Sequence, residues 1–316
     1  MLLVWSAREA KPSGAARRFS SPSEILLRRL LRAGRRAFDE ARLLAAVLPH
    51  RLAGAGRRPR RHDLPAALVV SLTSWPPRFP FLHRTLRSLL RQSVRADRIV
   101  LWIAADDAPL LPAKVLRLRR RGVEIRTTAD TGPLKKLLPS LETFPGAFVA
   151  TADDDVHYGP AWLEALVSGF LAADEPAIVC HRAHRPWILG DGAVAPYSQW
   201  ERDVQDGAAR RASGRIVPIG VGGILYPPDS LDPLVADSAI AARLCPTCDD
   251  FWFFWMARRR GTRVRKIGGR FPYREWPGSQ RRALHTANLG GDYDRQLAAL
   301  SACLGVPAGL AEPARP

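Results

Sequence analysis

The chain has 316 residues, 47% of them apolar, with 9 tryptophans and a formal net charge of +18. Its length and apolar content exclude overall disorder and give room for one large α/β domain or two modest ones. Four cysteines in so long a chain exclude a disulfide framework and point to a reduced, cytosolic compartment.

The charge is concentrated at one end. Residues 1–62 hold fifteen Lys and Arg against four acids (Glu9, Glu24, Asp39 and Glu40), which is +11 of the total. Residues 22–50 place Ile25, Leu26, Leu30, Leu31, Phe38, Leu43, Leu44 and Val47 at roughly helical spacing, with arginines opposite and Ser23 as N-cap. Such a basic amphipathic helix has two uses. It lies on an anionic membrane surface, each basic residue contributing about 1 kcal/mol, or it packs its apolar stripe on the main domain. The stretch AGAGRRPRRHD, residues 53–63, follows as a linker. No uncharged apolar run reaches the ~18 residues of a spanning helix, and MLLVWSAREAK lacks the apolar centre of a signal peptide. A soluble or peripheral cytoplasmic protein is expected.

Beyond the linker, strand and helix alternate. Strands are predicted over residues 66–74 (AALVVSLTS), 98–105, 123–128 and 147–152. Helices are predicted over 79–92, 111–122 with Gly122 as the stop, 134–144, and 160–171. This spacing indicates βαβ units and a mostly parallel sheet, whose strands are buried on both faces and so read as continuous apolar runs. In open α/β sheets ligands bind beyond the carboxyl ends of the strands.

At that position, after the fourth strand, stand Asp153, Asp154 and Asp155. The backbone of a strand alternates, so Asp153 and Asp155 project on one side and Asp154 points elsewhere. Two converging carboxylates make an oxygen site for Mg²⁺ or Mn²⁺, metals held by one or two carboxylates with substrate phosphates and waters. The plain structural use of the same residues is a polar turn or the cap of the following helix.

Six blocks in order, VVSLTSWPPRF, RIVLWIA, LKKLLPSLETFP, VATADDDVHYGPAWLEAL, GVGGILYPPDSL and CDDFWFFWMA, resemble the landmarks of a bacterial family 2-like glycosyltransferase. The resemblance covers about residues 66–290. It implies a GT-A fold: residues 1–62 a basic extension and linker, 63–300 the transferase domain, and 301–316 a tail. Within the domain, 63–158 would be the nucleotide-sugar half and 159–300 the acceptor half. The implied partners are a UDP-, GDP- or dTDP-sugar donor and a glycan or lipid-linked acceptor, such as a surface polysaccharide. The implied cofactor is Mn²⁺ or Mg²⁺.

The resemblance also distributes roles. Asp153 and Asp155 would hold the metal, although one of that pair can instead hold the ribose; Asp153 and Asp154 would contact the nucleotide-sugar, and a C-terminal histidine, here His285, often completes such a site. Thr73 and Arg78 would line the nucleotide pocket, and Lys135 or Lys136 would reach the nucleotide or its phosphates; a solvated helix face is the alternative for the two lysines. Gly222 and Gly223 would form the floor of the donor and acceptor site, or else a plain turn. The catalytic base falls in the Asp249-Asp250 pair, with Asp250 preferred, although acids at a helix start also serve as caps. The family's acid on the second strand is matched only by Asp106 and Asp107, slightly late.

Cys245-Pro-Thr-Cys248 lacks both the further ligands of a zinc site and the context of a redox pair, so two buried thiols are expected. A nucleic-acid-binding protein is disfavoured because the arginines cluster outside the predicted fold without interleaved aromatics. A catalytically dead scaffold would lack one of the acidic pairs, and both are present.

Overall fold

Four apolar runs separated by amphipathic ones set the architecture. In the computed structural model, which describes residues 59–279 and 291–310 together with positions 34, 41 and 45, each run is a strand. They are Leu68–Thr73 (β1), Arg98–Ala104 (β2), Val123–Thr128 (β3) and Phe148–Ala152 (β4). Ala177–Cys180 (β5), Ile224–Tyr226 (β6) and Arg263–Lys266 (β7) complete a seven-stranded sheet in the order β7-β5-β6-β4-β1-β2-β3. All run parallel except β6, which is antiparallel to both of its neighbours. The architecture is the mostly parallel α/β sheet flanked by helices that the sequence predicts. His285 and, apart from the helical positions 34, 41 and 45, the helix expected over 22–50 lie outside the described residues.

The sheet is covered on both faces. The even positions of β1, Leu68, Val70 and Leu72, pack against Phe79–Leu89 (α1) through Leu82 and Leu86. The same layer takes in Leu163 and Leu166, which belong to a helix described below. The other face buries Val149, Ile178, Ile224 and Tyr226 in a second core. This division follows the period of two along each strand.

The helices behave less regularly. The one expected over 111–122 is a single α-turn, Ala113–Leu116, followed by a 3₁₀ stretch that ends at Gly122 with φ 98°. The one expected over 134–144 is a 3₁₀ turn, Gly132–Lys136, then Leu138–Thr143 (α2) with Pro139 in its first turn. Proline has no N–H to donate, so it fits a helix start and breaks a longer helix in two. Trp162–Leu171 (α3) and Asp249–Arg260 (α4) follow, and Tyr293–Leu304 (α5) closes the described chain. Helix α4 buries every residue from Phe251 to Ala257, where the sequence suggests a single apolar face. A helix apolar all round is a core helix, and it anchors the two acids at its start.

Candidate active site

Topology brings the acidic blocks to one edge. Leu72 of β1 is in register with Ala152 of β4, so the segments after both strands leave the sheet side by side. Because β6 runs backwards, its beginning lies on this same edge: Ile224 pairs with Thr151 of β4. The loop Gly220–Gly223 therefore arrives beside Asp153.

The three aspartates are not a continuation of the strand. Strand β4 ends at Ala152 and residues 154 and 155 form a turn. The alternation expected of Asp153 and Asp155 on one side thus does not hold. Instead Asp154 and Asp155 share the buried guanidinium of Arg78, which lies 3.4 Å from Asp154 and in closer contact with Asp155. Ser74 donates a 2.5 Å hydrogen bond to the same Asp154 carboxylate, and Thr85 donates to its backbone carbonyl at 2.8 Å. Burial pushes the Asp154 carboxyl up to about 7, aided by the neighbouring Asp155 and opposed by Arg78.

Asp153 turns to a different cation. Its carboxylate lies 3.1 Å from Lys136 Nζ, and the same ammonium is 2.9 Å from Asp249. One lysine therefore joins the turn after β4 to the head of α4. Its backbone is fixed from below: the buried Ser71 hydroxyl of β1 donates to the Lys136 carbonyl at 2.5 Å and meets Ser140 at 2.8 Å. Trp102 Nε1–H donates to Ser140 in turn. The surrounding carboxylates hold the Lys136 ammonium well above its usual range despite its burial. The adjacent Lys135 is also buried but pairs with Asp130, away from this group. Neither lysine lies on a solvated helix face.

Asp250 is oriented by backbone. Gly220 N–H reaches both of its carboxylate oxygens at 3.1 Å. Burial and the adjacent Asp249 push the Asp250 carboxyl up to about 7, against the pull of Lys136 and the Gly220 N–H. Asp249 moves in the same direction, burial being the first cause. The N-cap position of α4 is Cys248, which makes no side-chain cap, and Asp249 and Asp250 stand in the first turn.

Gly222 and Gly223 have close neighbours. A Cβ on Gly223, whose φ is 89°, would fall 2.5 Å from the Trp162 indole nitrogen, and one on Gly222 would meet His181 and Arg182 at 3.1–3.2 Å. Trp162 Nε1–H donates to the Gly222 carbonyl at 2.8 Å. Thr73 donates its hydroxyl to the Trp102 carbonyl on β2. Asp106 and Asp107 sit in a 3₁₀ turn just after β2. Cys245 and Cys248 are buried free thiols. Residues not foreseen from sequence are Ser74, Gly220 and Tyr158, whose hydroxyl accepts from the Asp153 N–H at 2.8 Å. Ser74 and Gly220 stand inside quoted motifs, TSWPPR and GVGG, so adjacency was the available signal.

Among the described residues no group of three or more His, Cys, Asp or Glu is arranged to hold a metal by itself. The donor set on the turn nevertheless fits a hard divalent cation that shares its coordination with phosphates: Asp153 and Asp155 offer oxygen alone. Five buried or half-buried aspartates here face two cations, Arg78 and Lys136.

No family model and no curated protein matches the chain. Among solved structures it is similar to glucosyl-3-phosphoglycerate synthase from Mycobacterium tuberculosis in complex with Mn²⁺, UDP and phosphoglyceric acid. The identity is 13% and the TM-score 0.43, over 77% of this chain and 80% of that one. It is similar to S. aureus TarS 1-349 in complex with UDP-GlcNAc at 13% identity and a TM-score of 0.39, over 69% of this chain and 61% of that one. In a second TarS 1-349 structure the chain spans 59% of that protein's length.

Proposed function

We propose that this protein is a metal-dependent glycosyltransferase of the GT-A type. It moves a sugar, of hexosyl type, from a UDP-, GDP- or dTDP-sugar to a glycan or lipid-linked acceptor, with inversion and with Asp250 as base. The observation that carries the reading is the single ammonium of Lys136, held between Asp153 on the β4 turn and Asp249 beside Asp250. It brings an oxygen-donor turn and a backbone-oriented carboxylate into one space at the carboxyl edge of the sheet.

Asp153 and Asp155 would hold Mn²⁺ or Mg²⁺, which when bound neutralises charge on the departing diphosphate. Arg78 keeps Asp154 and Asp155 compact on the turn, and Thr73, Ser74 and Arg78 lie on the nucleotide side. The acceptor hydroxyl oxygen bonds to the anomeric carbon as the bond to the diphosphate oxygen breaks, and its proton passes to the Asp250 carboxylate. A base with a carboxyl near 7 is suited to that transfer at neutral pH. Among the described residues no helix is long and apolar enough to cross a membrane. We place the reaction in the cytoplasm, with residues 22–50 making peripheral contact with the membrane and the product serving a cell-envelope polysaccharide.

The test is turnover of a panel of UDP-, GDP- and dTDP-sugars with Mn²⁺ and after chelation, beside nucleotide binding. Asp155→Ala is expected to lose metal-dependent nucleotide binding. Asp250→Asn is expected to keep that binding while transfer falls about 10²- to 10⁴-fold. No nucleotide binding and no turnover of any donor overturns the reading, and full transfer by Asp250→Asn overturns the base.

A further inference from the structure

A concave site lies away from the aspartates. Between residues 206–216, the end of α4, the start of β7 and residues 308–309 there is a cavity of about 480 Å³, within the range of small-molecule sites. Its lining includes Arg185, Arg211, Arg215, Arg258 and Arg263 but only one acid, Asp206.

The arginines differ in what already holds them. Arg185 is tied to Asp206 and Glu201, and Arg263 reaches Glu175 at 3.0 Å. Arg258 donates to the carbonyls of Thr262 and Ala308, each at 2.8 Å. Its guanidinium lies against two glycines: a Cβ on Gly214 would come within 2.8 Å of it, and one on Gly309 within 3.1 Å. The wall is therefore built around a fixed guanidinium. Arg211 and Arg215 have no ion pair among the described residues, and both face this cavity's lining. Forked, permanently charged donors of this kind match the oxygens of phosphate groups.

We propose that this cavity binds a phosphate- or diphosphate-bearing ligand, separately from the nucleotide-sugar site. The two are well apart on α4: Arg258 stands eight residues beyond Asp250, about 12 Å at 1.5 Å per residue. They are also linked, because the chain runs from Ser213 and Arg215 through Val217–Pro218 to Gly220, whose N–H holds Asp250. The site does not depend on the transferase reading.

The probe is inorganic pyrophosphate, titrated calorimetrically into the full chain in the presence of EDTA. The Arg211→Ala/Arg215→Ala variant is expected to bind at least about tenfold more weakly, the loss of charge-assisted hydrogen bonds. Asp153→Asn/Asp155→Asn is expected to bind as the native protein does, which separates this site from the donor site. Equal weakening by Arg119→Ala/Arg120→Ala, an exposed pair elsewhere, would reduce the effect to general attraction and overturn the proposal. So would unchanged binding in the Arg211/Arg215 variant, or no binding by the native protein. Should the double variant fail to fold, Arg211→Ala alone, at an exposed position, answers the same question. Vesicles of phosphatidylglycerol against phosphatidylcholine identify the source. Binding to the anionic vesicles that falls with the arginine pair marks a lipid headgroup, and vesicle binding that stays while pyrophosphate binding falls marks a soluble phosphate.

Discussion

A methyl group on Gly220 would come within 2.8 Å of the Lys136 ammonium and 3.0 Å of an Asp250 carboxylate oxygen. Lys136 is a long side chain, yet it cannot swing away without leaving both Asp153 and Asp249. Gly220→Ala is therefore expected to displace the charged centre rather than unfold the protein. Overpacking of this kind costs about 1–3 kcal/mol, while a misplacement near 1 Å costs on the order of 10²-fold in rate. Urea denaturation and transfer rates, measured on the same preparation, separate the two. A variant with native transfer would show that the contact tolerates the methyl.

Lys136 is also a stability element. Removing one partner of a buried ion pair leaves the other charge uncompensated, at about 3–5 kcal/mol. Lys136→Met should lower the urea midpoint at pH 8 accordingly. Adding Asp249→Asn to that variant should recover part of the loss, because it removes one of the stranded charges. A double variant no more stable than Lys136→Met would place the cost elsewhere.

The raised carboxyls give a pH dependence with a definite sign. Asp154 and Asp250 titrate at about 7 in the folded protein and near 3.8 when unfolded. Between these values the folded state binds more protons, so their ionisation removes stability as pH rises through 7. His181 and His184, lowered to about 4 by burial, and His83, lowered for the same reason, act oppositely, most strongly below about 6.5 and with a fading tail above it as the last unfolded imidazoles lose their protons. From pH 6.5 to 8 that tail is smaller than the effect of the two carboxyls, which therefore set the sign of the slope. In EDTA stability should fall between pH 6.5 and 8, by on the order of 1 kcal/mol for each carboxyl before the imidazole offset, and be read as a lower thermal midpoint. A midpoint that climbs between pH 6.5 and 8 in EDTA would contradict the assignment.

The strands around the site were legible because burial on both faces leaves unbroken apolar runs such as LVVSLT and FVATA. The acidic clusters were legible too, since carboxylates directly after or before buried elements need a reason. Their internal pairing was not. The alternation rule holds only while the backbone stays extended, and it stops at Ala152, so the grouping of Asp154 with Asp155 at Arg78 depended on the turn. Choosing between Lys135 and Lys136 required the conformation of the 3₁₀ turn and its anchor to Ser71. Gly220 escaped notice beside Gly222 and Gly223 because nothing local marks which glycine of GVGG the ammonium approaches.

The reversal of β6 gives the molecule two edges with unequal tolerance. Residues that precede β6 end at the charged centre, whereas those that follow Tyr226 leave from the opposite rim, where Tyr226 lies beside Val149 near the beginning of β4. A residue added at the exposed Asp229, rather than at the buried Pro227, Ser230 or Leu231, would change a rim remote from the aspartates. A single residue inserted between 218 and 223 would shift the amide that holds Asp250. For engineering, the first is a place to graft and the second a place to leave alone.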